Sequence, residues 1–124
     1  MNLNQITVPV LDVACSIEFY EKLGLKLIVK SVPDYARFVC PNGNSTFSLH
    51  ATEQLPIGNG IWIYFEVDDL DNCVQSLINK GIVLEELPTD KPWLWKEARL
   101  KDPDGNQLIL YFAGTNRINP PWKI

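Results

Sequence analysis

The sequence predicts an α+β protein built from two tandem βαβββ modules, whose curved mixed sheets would flank a cleft. Three observations carry this expectation. Two stretches of equal length, Asp12 to Gly24 and Asp69 to Gly81, each hold apolar residues at helical spacing. A Pro-x-Gly turn signal recurs late in each half, at Pro41 to Gly43 and at Pro103 to Gly105, between runs of alternating residues. The composition, 46% hydrophobic and 21% charged over 124 residues, is that of one ordinary globular domain. A chain of this size buries roughly two thirds of its unfolded surface, so it needs no disulfide or metal to hold it.

The first module, about residues 3–52, opens with a strand near 4–10. Ile6, Val8 and Val10 share one parity and Gln5 and Thr7 the other. Asp12 fits a helix N-cap, because its carboxylate can accept from free backbone N–H groups, and Gly24 fits the left-handed stop. The helix expected over 13–23 carries Val13, Ile17 and Tyr20 on one face. Strands near 25–31, 35–40 and 45–51 follow. Alternation places Tyr35 and Arg37, then Thr46, Ser48 and His50, on the same side as Gln5, away from the helix.

After the linker EQLPIGNG the second module, about 60–113, repeats the order. In a strand near 61–67, Ile61, Ile63, Phe65 and Val67 face the helix, and Trp62, Tyr64 and Glu66 face away. Asp69 and Gly81 bound a helix over 70–80 with Leu70, Val74 and Leu77 inward. Strands near 82–86, 95–101 and 106–113 close the module. Ala98, Leu100, Leu108, Leu110 and Phe112 form the apolar parity of the last two, and Trp95, Glu97, Arg99, Ile109 and Tyr111 the opposite one. Residues 114–124 form a tail ending in INPPWKI, where two prolines favour an extended segment and Trp122 could anchor it to a partner or to the protein's own body. The whole chain reads as a single domain.

Because each helix covers only one face of its sheet, the other faces are expected to line the cleft. Their aromatic and charge-balanced make-up is that of a small-molecule site. A net charge of -4 without a Lys or Arg cluster argues against nucleic acid, and no apolar run approaches the ~20 residues of a membrane span. The start MNLNQITVPV has no basic and apolar export signal, so the cytoplasm is the expected location. Cys15, Cys40 and Cys73 are odd in number and lack zinc-ribbon or redox spacing, which suits reduced thiols.

The stretches TVPVLDVACSIEFYEKLGL, YFEVDDLDNCVQSLINKGI and DPDGNQLILY, in that order and spacing, closely resemble the vicinal oxygen chelate superfamily. This is the group of glyoxalase I, fosfomycin-resistance transferases, extradiol dioxygenases and bleomycin-binding proteins. The resemblance spans residues 3 to 113. It implies paired βαβββ modules, a homodimer, and in the enzymes a divalent metal held by the first and last strands of the modules. The corresponding positions here are Gln5, Ser48, Trp62 and Ile109. Glutamine occupies the first position in some glyoxalases, but Trp62 stands where histidine is usual and Ile109 where glutamate is usual. A catalytic zinc site takes three protein ligands and a hard-ion site several oxygens, so these four are not competent as a set. No metal cofactor is expected.

The leading expectation is therefore a metal-free binder resembling the antibiotic-sequestering members. Trp62, Tyr64, Trp95 and Tyr111 would stack on a planar or apolar ligand, with Arg37 and Arg99 orienting its anionic or carbonyl groups. The alternative is a metal-dependent lyase, transferase or dioxygenase with a displaced site using His50, Glu66 and Glu97. Within the enzyme alternative, His50 and Glu97 are also candidates for proton transfer without metal.

Overall fold

The structure, a computed structural model, describes residues 1–124. It divides into two compact units, Met1–Gly60 with Asp102–Asn106, and Ile61–Lys101 with Gln107–Ile124. In the first, β1 (Gln5–Val10) leads into α1 (Val13–Leu23), then β2 (Lys26–Ser31), β3 (Tyr35–Val39) and β4 (Thr46–Ala51). The sheet order is β1-β4-β3-β2, with β1 parallel to β4 and the other pairs antiparallel. The second unit repeats this with β5 (Trp62–Glu66), α2 (Leu70–Asn79), β6 (Glu86–Asp90), β7 (Lys96–Lys101) and β8 (Gln107–Phe112), ordered β5-β8-β7-β6. The parallel pair in each sheet follows from the helical crossover after the first strand, which also confines the helix to one face. The expected α+β class with tandem βαβββ modules is what the chain adopts.

Both helices begin and end as the repeat predicts, and by the same bonds. The Asp12 carboxylate accepts from Cys15 N at 3.0 Å, and that of Asp69 from Asn72 N at 3.3 Å. At the other end Leu25 N donates to Tyr20 O and Ile82 N to Leu77 O, while the preceding glycines, at φ 110° and 88°, donate to Glu21 O and Ile78 O. This is the two-bond Schellman stop, whose left-handed residue is nearly always glycine. Val13, Ile17 and Tyr20, and Leu70, Val74 and Leu77, are buried as their spacing requires.

One strand lies elsewhere than expected. β6 runs over Glu86–Asp90 and not near 82–86. Ile82 is still engaged in closing the helix and its side chain is buried, Val83 is exposed, and ladder bonding begins only where Glu85 N donates to Arg99 O at 2.7 Å. An irregularity between Glu86 and Thr89 then shifts the register. The tail also departs from simple packing on its own chain. After a single 3-10 turn at Gly114–Arg117, Trp122 remains 56% exposed.

The core of the first unit is organised around Tyr20. Its ring meets Phe47 at 4.6 Å and Phe38 at 5.9 Å between centroids, and its hydroxyl donates to Asp102 Oδ2 at 2.6 Å. Asp102 belongs to the β7–β8 turn, which is counted with this unit, and its carboxylate also accepts from the backbone of Asp104 and Asn106 and from Asn106 Nδ2. Burial, followed by the Asp102 charge and hydrogen bond, pushes the Tyr20 phenol well above its ordinary range.

Tyr20→Phe leaves the buried carboxylate short of one donor, and we expect it to lower unfolding free energy by about 1–3 kcal/mol in chemical denaturation. Since the folded-state phenol binds its proton more tightly than the unfolded one, the Tyr20 contribution is fully present below the ordinary phenol value of about 10 and declines above it. The decline has a limiting slope of ~1.4 kcal/mol per pH unit. Stability curves measured across that alkaline range should be flatter for Tyr20→Phe than for the native chain.

Candidate functional site

The helix-free face of the first sheet carries the residues that alternation assigns to it. The register pairs Gln5 with Thr46, Thr7 with Ser48, Arg37 with Ser48 and Tyr35 with His50. Gln5 Nε2 donates to Ser48 Oγ at 2.7 Å and to Thr7 Oγ1 at 3.3 Å, while Thr46 donates to Gln5 Oε1. Ser48, fully buried, lies 2.8 Å from the Tyr35 hydroxyl, which accepts from Arg37 Nε at 2.8 Å. The side chains thus form one continuous network running from Thr46 to Arg37. Desolvation pushes the Tyr35 phenol up, but its bonds with Ser48 and Arg37 and the Arg37 charge outweigh that and hold it below the ordinary range. His50 is exposed, with Nδ1 2.8 Å from Ala51 O. Because a carbonyl only accepts, Nδ1 carries the proton of the neutral ring.

The corresponding face of the second sheet is aromatic and acidic. Tyr64, Trp95 and Tyr111 pack on one another: Trp95 stacks on Tyr111 at 4.7 Å, and Tyr64 meets the two edge-on at 5.9 and 5.6 Å. Ile109 and Tyr111 are buried beneath, so they form a floor and not a contact surface. Trp62 is 52% exposed and has Arg99 Cζ 5.0 Å from its ring. Burial raises the phenols of Tyr64 and Tyr111, helped by the charges of Glu97 and Glu66 respectively.

The carboxylates here are already engaged. Glu97, only 1% exposed, accepts from Trp93 Nε1 at 2.9 Å and from Arg99 Nη2 at 3.4 Å. Glu66 accepts from the backbone of Ala113 and Gly114 and pairs with Arg117. Glu86, paired with Lys91 and lying 3.7 Å from Arg99 Nε, is held below the usual carboxylate range first by the Lys91 hydrogen bond.

Trp93, Glu86 and Lys91 are site neighbours that strand alternation could not find, because the first lies in a loop and the others at or beyond an irregular strand. The signal for the loop was the cluster KPWLW. There Lys91 N donates to Trp95 O and Leu94 takes φ 66°, a left-handed conformation unusual for leucine. Leu94, Trp95, Phe112 and Ala113, with Asp90, Lys91, Lys96 and Asn116, line an open hollow of about 380 Å³.

At the four positions that the resemblance assigns to a metal the side chains are an amide, a hydroxyl, an indole and a hydrocarbon. Gln5 and Ser48 are bonded to each other, Trp62 offers an indole, and Ile109 is a buried hydrocarbon. No group of three or more His, Cys, Asp or Glu side chains that could hold an ion comes together anywhere in the chain. Of the candidates for a displaced site, Glu66 is engaged by the tail and Glu97 by Trp93 and Arg99, while the bond between His50 Nδ1 and Ala51 O leaves the other ring nitrogen, Nε2, available.

Comparison with known proteins places this geometry in a family. The chain is 31% identical over 127 residues to the uncharacterized protein YraH of Bacillus subtilis, covering 90% of this chain and 98% of the relative. It is 29% identical over 128 residues to a probable trivalent organoarsenical cleaving enzyme of the same organism, covering 94% and 83%. Its fold superposes with a TM-score of 0.75 on a bleomycin-binding protein solved with bleomycin, at 20% identity, covering 90% of this chain and 98% of the other. The model of the Glyoxalase/Bleomycin resistance protein/Dioxygenase superfamily matches residues 2–110, and the chain belongs to that superfamily.

Proposed function

We propose that the chain is a metal-independent small-molecule binding protein of its superfamily, taking an aromatic or apolar ligand on its helix-free faces. The observation that carries this reading is Trp62, a half-exposed indole flanked by the Arg99 guanidinium. Tyr64, Trp95 and Tyr111 brace one another, so the indole is the aromatic surface best placed to receive a planar group. The donor chemistry of Gln5, Ser48, Trp62 and Ile109 supports binding without a metal. The same reading takes the protein as a cytoplasmic homodimer in which an isologous contact covers sheet surface.

A second reading is favoured by the relative named as an organoarsenical cleaving enzyme. Trivalent arsenic is a soft centre that calls for thiolates. Here burial raises the Cys40 and Cys73 thiols, keeping them protonated, and the exposed Cys15 is on the first helix. These observations favour the binder.

Calorimetric titration of the native chain with zinc, nickel, manganese and iron, beside a panel of planar aromatic compounds, tests the reading. We expect no stoichiometric metal binding at micromolar concentration. Trp62→Ala should weaken the bound aromatic by about 2- to 13-fold, the equivalent of one aromatic pair. A stoichiometric metal lost on Gln5→Ala or His50→Ala overturns the proposal in favour of an enzyme, as does consumption of a trivalent organoarsenical by the purified protein. Sedimentation at micromolar concentration should give a dimer, and a monomer there refutes the assembly.

A further inference from the structure

We propose that the helix-free face of the first sheet is an oxyanion-binding site, in which Arg37 and the Tyr35 hydroxyl receive a carboxylate or a group of like chemistry. It rests on the small-molecule reading and adds the chemical class of the group recognised.

Hydrogen-bond accounting fixes the direction of the Tyr35 proton. Gln5 Nε2 lies 3.2 Å from the carbonyl oxygen of Ile6, which only accepts, so the amide nitrogen is the end that faces Ser48. Ser48 Oγ therefore accepts from Gln5 and must place its own proton elsewhere. Ser48 is fully buried, and the acceptor beside it is the Tyr35 oxygen at 2.8 Å. The reverse arrangement would leave a buried hydroxyl proton without an acceptor. Tyr35 Oη thus accepts from both Ser48 and Arg37 Nε, and its own proton points out of the network.

The charge pattern supplies the second half. Of the three arginines, Arg99 pairs with Glu86 and Glu97 and Arg117 with Glu66, whereas Arg37 has no carboxylate partner. Its Nε is committed to Tyr35, which leaves the two terminal nitrogens for a ligand. The register puts Lys26 and His50 on the same face as Arg37, with Gln5, Thr7, Thr46 and Ser48 as neutral neighbours. None of the strand residues of this face is acidic, and Asp34 lies in the turn before β3. An uncompensated guanidinium beside an outward phenol proton matches an oxyanion, which accepts charge-assisted bonds from both.

Deprotonation of Tyr35 would remove the donor and put a negative charge in its place. The network stabilises that phenolate and holds the phenol below its ordinary range, so anion affinity should fall as the pH rises, and should begin to fall below the ordinary phenol value of about 10. The charged and titratable groups facing the phenol are the Arg37 guanidinium on its own strand and the His50 imidazole on β4, while β2 offers Ser31 opposite it.

Benzoate and its neutral isostere benzamide, titrated calorimetrically into the native chain, separate the outcomes. Benzoate should bind about 10- to 100-fold more tightly than benzamide. Arg37→Gln should abolish the preference, and Tyr35→Phe should reduce it and flatten its loss at high pH. In the absence of any ligand, ultraviolet titration of the four tyrosines should show one ionising below the others, absent in Tyr35→Phe and shifted upward in Arg37→Gln. Equal affinity for the two compounds, or a preference that survives both substitutions, overturns this inference and leaves the small-molecule reading standing. Binding of neither compound, nor of any other aromatic tested, removes both.

Discussion

The first unit depends on one buried carboxylate. Asp102 accepts from the Tyr20 phenol, from two backbone N–H groups of its own turn and from the Asn106 amide, and so satisfies four donors that burial would otherwise leave costly. Its neighbour Asp104 accepts from Leu11 N and Ser16 Oγ at the start of α1. A turn only five residues long thereby fixes both the entry of the helix and the centre of the aromatic core. The chain leaves this unit at Gly60 and comes back to it at Asp102, so the hydrogen bonding of the unit cannot be completed until most of the sequence is available.

Polar groups on the two helix-free faces are handled in opposite ways. On the first sheet they bond in series, neutral side chain to neutral side chain, and the series ends at an unneutralised arginine. On the second, three carboxylates each meet a cation or a backbone donor, and the aromatic rings lean on one another. The first arrangement satisfies its buried hydrogen-bonding capacity and the second leaves Arg99 Nε without a partner, and they leave different chemistry at the surface: a positive donor in one case and an indole face in the other. Within the first series Gln5 and Ser48 hold each other directly.

Much of this was legible in the sequence. The equal Asp-to-Gly intervals located both helices, since a carboxylate cap and a left-handed glycine are each dictated by local backbone geometry. Strict alternation sorted Trp62, Tyr64, Glu97, Arg99, Ile109 and Tyr111 onto one face, because a strand has no other periodicity. The start of β6 was not legible, as the residues after Gly81 are apolar enough to suit a strand while serving to close the helix. Nor was the mutual bracing of Tyr64, Trp95 and Tyr111, which depends on ring orientation across β5, β8 and the residue that precedes β7. Trp93 was hidden for a different reason: it reaches Glu97 from a loop whose left-handed turn at Leu94 no residue type announced.

The identical helix stops bear on how such a protein can diverge. In each, the terminating bonds run between backbone atoms, so they demand one residue free to turn left-handed and place no condition on the side chains around it. Two halves built this way can therefore differ at nearly every exposed residue on their open faces, one carrying a cationic surface and the other an aromatic one. The punctuation that defines each half survives those differences unchanged. A scaffold of this kind is evolvable because its grammar and its vocabulary are written in different atoms.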